Sequence, residues 1–193
     1  MSITLAKGGN ISLDKQAPDL TDVAVGLGWD ERVTSGIDFD LDASAIAIGS
    51  NGRVRSDYDF VFYNNLRSPD GSIEHTGDDT TGGNSVDGDD EVINVNLAAV
   101  PPAIESIVFP VSIHDADARG QSFGQVSNAY IRVVDRTTGT ELVRYSLSED
   151  ASNETAMVFG ELYRYNGEWK FRAVGQGYAS GLAGIARTYG INV

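Results

Sequence analysis

The residues best placed to do chemistry in this chain are carboxylates repeated at every second position: Asp38, Asp40 and Asp42, within Asp38-Phe39-Asp40-Leu41-Asp42-Ala43-Ser44. On an extended strand, alternate side chains share one face and lie roughly 6.6 Å apart. Phe39 and Leu41 then point toward a core, and three like charges crowd the other side. Such a row either lies open to water as a solvated outer face or is bridged by a cation. The cation that suits it is hard and oxygen-seeking, and Ca²⁺ takes about six to eight oxygen ligands. The motif is not an EF-hand loop, which needs Gly at position six and Glu at position twelve. Counted from Asp38, those places hold Ala43 and Gly49.

A second acidic cluster runs from His75-Thr76-Gly77-Asp78-Asp79 to Asp87-Gly88-Asp89-Asp90-Glu91, with six carboxylates within fourteen residues. Glycine and short polar residues dominate the span between, so backbone carbonyls and carboxylates can wrap one ion without Cβ hindrance. The bland alternative is an acidic surface loop. Asn64-Asn65 offers neutral amide oxygens or simply a turn. His75 and His114 are the only histidines, and without cysteine they make a poor zinc or copper set. A Ser–His–Asp triad can be drawn from His114, Asp115 and Ser112 or Ser122, but nothing in the spacing favours it. Gly175-Gln176-Gly177-Tyr178 lacks the spacing and the βαβ setting of a nucleotide fingerprint.

Charge sharpens the cation reading. The net charge is −14, and residues 30–91 hold 15 acidic against 4 basic side chains, hence −11 of it. Compact folding of that segment concentrates repulsion that a bound cation relieves. Nucleic acid is a poor partner, because its binding depends on Lys and Arg neutralising phosphates. An anionic membrane is disfavoured for the same reason. The absence of cysteine removes disulfides, thiolate metal sites and thiol redox chemistry. No signal-peptide pattern opens the chain, and no apolar run approaches a membrane span, so a cytoplasmic location is expected.

The elements that must hold these residues read as short strands almost throughout. Strands are expected at 3–5, 10–13, 22–29, 38–48, 58–63, 91–97, 104–113, 128–134, 141–147, 156–165 and 168–174. Asn51-Gly52 and Asn166-Gly167 are hairpin turn signals. The nearly all-apolar run 104–113 fits a central strand buried on both faces. Residues 178–189 read as a small-residue helix stopped by Gly190. The expectation is a single all-β domain over residues 1–193, a two-sheet β-sandwich with a short C-terminal helix.

Read end to end, the chain resembles the TerD family of tellurium-resistance and stress-response proteins. The resemblance rests on Lys7-Gly8-Gly9-Asn10, Gly26-Leu27-Gly28-Trp29-Asp30, the Asp38–Ser44 motif, Phe62-Tyr63-Asn64-Asn65, Gly88-Asp89-Asp90-Glu91, Ile113-His114-Asp115-Ala116 and Phe171–Tyr178, in that order. It implies a β-sandwich binding two Ca²⁺ ions, with protein partners in a stress-response complex and no settled enzymatic activity. Carried over position by position, it implies Asp38, Asp40, Asp42, Asn64, Asp78, Asp89, Asp90 and Glu91 as ligands, with Asn65 in support. The 78–88 loop is about two residues longer than the family's usual pattern, which makes the loop-built half of the site the less secure half. The rival from another class is a metal-dependent hydrolase using the same carboxylates, with His75 as general base.

Overall fold

The computed structural model describes residues 1–30, 39–77, 88–147 and 153–193. Asp38, Asp78 and the loop around them lie outside the described residues. The first sheet holds, in spatial order, β1 (Ile3–Leu5), β11 (Glu141–Ser146), β10 (Ser127–Asp135), β3 (Asp22–Asp30), β8 (Glu91–Asn96) and β7 (Ile73–His75). The second holds β2 (Asn10–Ser12), β13 (Glu168–Tyr178), β12 (Ala156–Tyr165), β9 (Ser106–Ile113), β5 (Ala45–Ile48) and β6 (Phe60–Val61), while β4 (Leu41–Ala43) also pairs with β9. All these pairings are antiparallel except β1 with β11. The expected sandwich is what forms.

Period-two patterning sets the core. Along β8, Glu91, Ile93 and Val95 are buried while Val92, Asn94 and Asn96 stay half-buried. Phe109, Val111 and Ile113 of β9 join them, with Ala129, Ile131 and Val133 of β10, in one cluster between the sheets. β9 is buried along its whole length because its other face is covered too. There Val108 packs with Ile46, Phe60 and Val158 against Ile185 and Ala186 of the C-terminal helix α3 (Gly181–Thr188).

Four expectations need correction. The strand over 38–48 is two strands, β4 and β5, interrupted at Ser44. Both keep one register on β9, and Ser44 falls opposite Pro110, which has no N–H for the ladder; Ser44 N donates to the Pro110 carbonyl at 2.9 Å instead. The strand over 58–63 shrinks to Phe60–Val61, because residues 57–59 form a 3₁₀ turn and Phe62 bridges back to Asn65. Leu13 leaves β2 to open a helical turn, α1 (Leu13–Gln16). Residues 178–180 precede the helix, Tyr178 ending β13.

The β12–β13 hairpin closes as expected on Asn166-Gly167, with φ of 50° and 76°. Two consecutive positive φ values match a twisted two-residue turn. Gly167→Ala is expected to lower stability by about 1 kcal/mol, since an L side chain pays that in the left-handed region. A urea melt should show the midpoint drop with the slope unchanged; an unmoved midpoint would show that the turn carries no such strain.

Candidate metal centre

Among the described residues β4 pairs with β9 alone, along one edge. Its other edge receives a side chain: Ala43 N donates to Glu91 Oε2 from the opposite sheet. Glu91 opens β8 on its core-facing side, so its carboxylate crosses the end of the sandwich and takes the place of a strand partner. It is only 2% exposed. His75 of β7 lies on the same oxygen, with Nε2 at 3.6 Å. Gly77 N donates to His75 Nδ1 at 3.1 Å, which assigns the ring proton to Nε2, facing Glu91. Burial pushes the Glu91 carboxyl up to about 7, against the lowering pull of His75 and of the Ala43 N–H.

On the far face of β4, Asp42 is also buried, at 9% exposure. Phe39 and Leu41 face the core as the alternation requires; on the other side Asp40 is half-buried and Asp42 buried, so these two are not a solvated pair. Asp42 Oδ2 lies 3.7 Å from His114 Nδ1, and His114 Nε2 lies 3.4 Å from Asp115. The Asp40 carbonyl accepts from His114 N at 2.8 Å, and Asp40 Oδ1 is shielded from solvent. Asp42 and Glu91 thus flank one strand residue, Ala43, and Asp42 repels charge on Glu91.

The run Gly88–Glu91 is divided among separate partners. Asp89 folds onto the outer face of the first sheet, where Arg132 Nε donates to both its oxygens at 2.8 and 2.9 Å and Tyr130 OH donates at 2.9 Å. Tyr130 OH also reaches the Gly88 carbonyl. Asp90 Oδ2 accepts from Trp29 N at 2.9 Å. Each contact pins the C-terminal limb of the acidic loop to the sheet.

The glycines of Gly26-Leu27-Gly28-Trp29 make this possible. Leu27 and Trp29 fill the core, and a Cβ at Gly26 would collide with the Asp89 carboxylate, one at Gly28 with the Tyr130 ring. Arg132 and Arg144 in turn hold Glu141, and Arg144 stacks over Tyr130 at 4.0 Å. Burial would raise the Glu141 carboxyl, but hydrogen bonds from Arg144, Ser2 and Arg132 outweigh it and bring it down to about 2. Nothing in the sequence marked Arg132 or Tyr130 as partners of the loop; two glycines inside one strand are the signal of close approach that could have found them.

The amide pair plays a smaller part. Phe62 and Asn65 close a tight turn, with Asn64 exposed and Asn65 half-buried. Asn65 Nδ2 donates to the Tyr58 and Phe60 carbonyls. Among the described residues no three His, Asp or Glu side chains converge on one point as an ion would need. His75 is buried, with Nδ1 accepting from Gly77 N and Nε2 facing Glu91.

Fold and site together define a two-sheet sandwich whose end is built from buried carboxylates. A model of the TerD domain matches residues 1–189, and the chain belongs to that family. It is 64% identical over 192 residues to the tellurium resistance protein TerD of Serratia marcescens, covering 100% of this chain and 99% of that one. It is 53% identical over 194 residues to general stress protein 16U of Bacillus subtilis (strain 168), at 100% of both chains. A crystal structure of a homologue of telluride resistance protein (TerD) from Streptomyces coelicolor A3(2) superposes with a TM-score of 0.67 at 26% identity, over 86% of this chain and 95% of that one.

Proposed function

We propose that this protein is a cytoplasmic calcium-binding stress-response protein linked to tellurite resistance, acting as a Ca²⁺-dependent binding or scaffold module in a complex of proteins and not as an enzyme. The observation that carries this reading is the burial of Asp42 and Glu91 on either side of Ala43, in the most acidic third of the chain. Buried carboxylates that are not matched by Lys or Arg are costly unless a cation compensates them. Asp89 is so matched and serves as an anchor in this reading, whereas Glu91 faces His75 and the Ala43 N–H among its described contacts.

Asp40, Asp42 and Glu91 would supply hard oxygen ligands, with Asp90 and Asn64 in the surrounding shell and Asp38 and Asp78 completing the set. Bound calcium supplies positive charge that neutralises this cluster and joins the acidic loop to β4. Two such ions would order the end of the sandwich for a partner. Among the described residues no helix is long and apolar enough to cross a membrane.

Thermal unfolding tests this directly. At a hundredfold excess over its dissociation constant, one site adds about 2.7 kcal/mol of stability. Calcium should therefore raise the melting temperature of chelator-stripped protein by several degrees, and Asp42→Asn should remove most of that rise. An equal rise in the variant would remove Asp42 from the site.

A further inference from the structure

We infer that the face formed by α3, β6 and the turn at residues 62–65 is a docking surface for a basic amphipathic segment of another protein. Two cavities meet there. One, of about 360 Å³, lies between Leu182, Ala183 and Ala186 of α3 and the stacked rings of Phe60 and Phe62, whose centroids are 4.4 Å apart. The other, of about 390 Å³, is walled by Tyr63, Asp42, His114, Asp115 and Asp117. Leu182 lines both, and Phe62 and Tyr63 are consecutive, so an apolar groove continues into an acidic cleft.

The chemistry of the occupant follows from the walls. Among the described residues no lysine or arginine lines either cavity, and the acidic side chain lining the apolar groove is Asp57. Carboxylates beside an aromatic ring are the surroundings that ammonium and guanidinium groups prefer. The groove next to them takes aliphatic or aromatic side chains. Tyr63 in the wall of the acidic cleft stays 43% exposed, and Tyr58, next in the chain to Asp57 of the apolar groove, stays 70% exposed, apolar surface of the kind that marks interaction sites. A partner carrying apolar side chains flanked by Lys or Arg complements both halves, and the net charge of −14 draws it in. Phosphate-bearing partners, nucleic acid and anionic bilayers alike, carry the wrong sign. Asp115 and Asp117 keep the cleft acidic whether or not Asp42 holds an ion, so the inference stands apart from the calcium reading.

Fluorescence anisotropy with labelled dodecapeptides of leucine–lysine, serine–lysine and leucine–glutamate repeats tests it, each in chelator and in calcium. The leucine–lysine peptide should bind at least about tenfold tighter than either control, a difference of one decade in Kd. Ala183→Arg, an exposed change on the groove wall, and Asp117→Asn in the cleft should each weaken it several-fold. Thr138→Arg, an exposed charge change at the β10–β11 turn, should do so no more than its effect on net charge. Equal binding of the serine–lysine peptide, or equal loss in Thr138→Arg and Ala183→Arg, would reduce the surface to bulk electrostatics and overturn the inference. So would a sedimenting dimer that Ala183→Arg dissociates, which would make a second copy the occupant, or preferential binding to phosphatidylglycerol vesicles. Loss of calcium binding with peptide binding intact would count against the metal reading alone.

Discussion

In chelator above pH 7, Glu91→Gln is expected to make the protein more stable, while in calcium the same change weakens metal binding by at least about tenfold. The two effects have one origin. Burial favours the neutral acid, so the folded carboxyl titrates at about 7 against an unfolded value of 4.5. A folded value above the unfolded one means that stability is fully present below 4.5 and is lost as pH rises to 7. Each pH unit of that shift corresponds to about 1.4 kcal/mol, so the ionised group costs the metal-free fold on the order of 3–4 kcal/mol above pH 7. Glutamine stays neutral, and its carbonyl can still accept from Ala43 N. Its advantage over wild type should therefore vanish below pH 4.5 and grow through the interval to 7. Urea titrations at pH 4.5 and 8 read the difference, with groups that do not touch Glu91 cancelling between variants and His75→Gln run alongside for the one that does. Equal destabilisation at both pH values would mean that packing, not charge, sets the role of Glu91.

Arg132→Ala is the other large effect. Asp89 is 7% exposed and depends on Arg132 for both its oxygens, so removing the cation leaves a buried charge unmatched. Such a break costs about 3–5 kcal/mol, whereas removing both charges costs far less. The double change Asp89→Asn with Arg132→Gln should therefore recover much of the loss in a denaturant melt. Asp89→Asn should leave the calcium stoichiometry unchanged, because this carboxylate serves to anchor the loop. Additive losses in the double variant would show that the two residues act independently.

Much of the fold was legible because strand alternation and turn glycines are local signals. Ile93 and Val95 of β8, the hairpin at Asn166-Gly167 and the doubly buried β9 are where pattern alone puts them. The breaks were not legible, because they depend on partners far along the chain. Ser44 interrupts its strand on account of Pro110, and Phe62 turns back to Asn65 instead of extending β6.

The same limit applies to the site. Spacing singled out Asp40 and Asp42, and the alternation put Phe39 and Leu41 inside. It could not separate Asp89, Asp90 and Glu91, which are consecutive yet go to Arg132, Trp29 and Ala43. Nor could it tell that Glu91 points inward, since a carboxylate in a core-facing position looks like a broken pattern until its partner strand is known.

Under the proposed function the carboxylates around β4 hold calcium. Calorimetric titration of chelator-stripped protein with Ca²⁺, and separately with Mg²⁺, tests it most directly with Asp40→Asn alongside. Two binding events selective for Ca²⁺, at micromolar affinity or tighter and weakened in the variant, are predicted, in the range where about 10⁻⁷ to 10⁻⁵ M defines a sensor. No heat with either ion, or binding indifferent to Asp40→Asn, would contradict the account and leave the buried carboxylates as features of the fold alone.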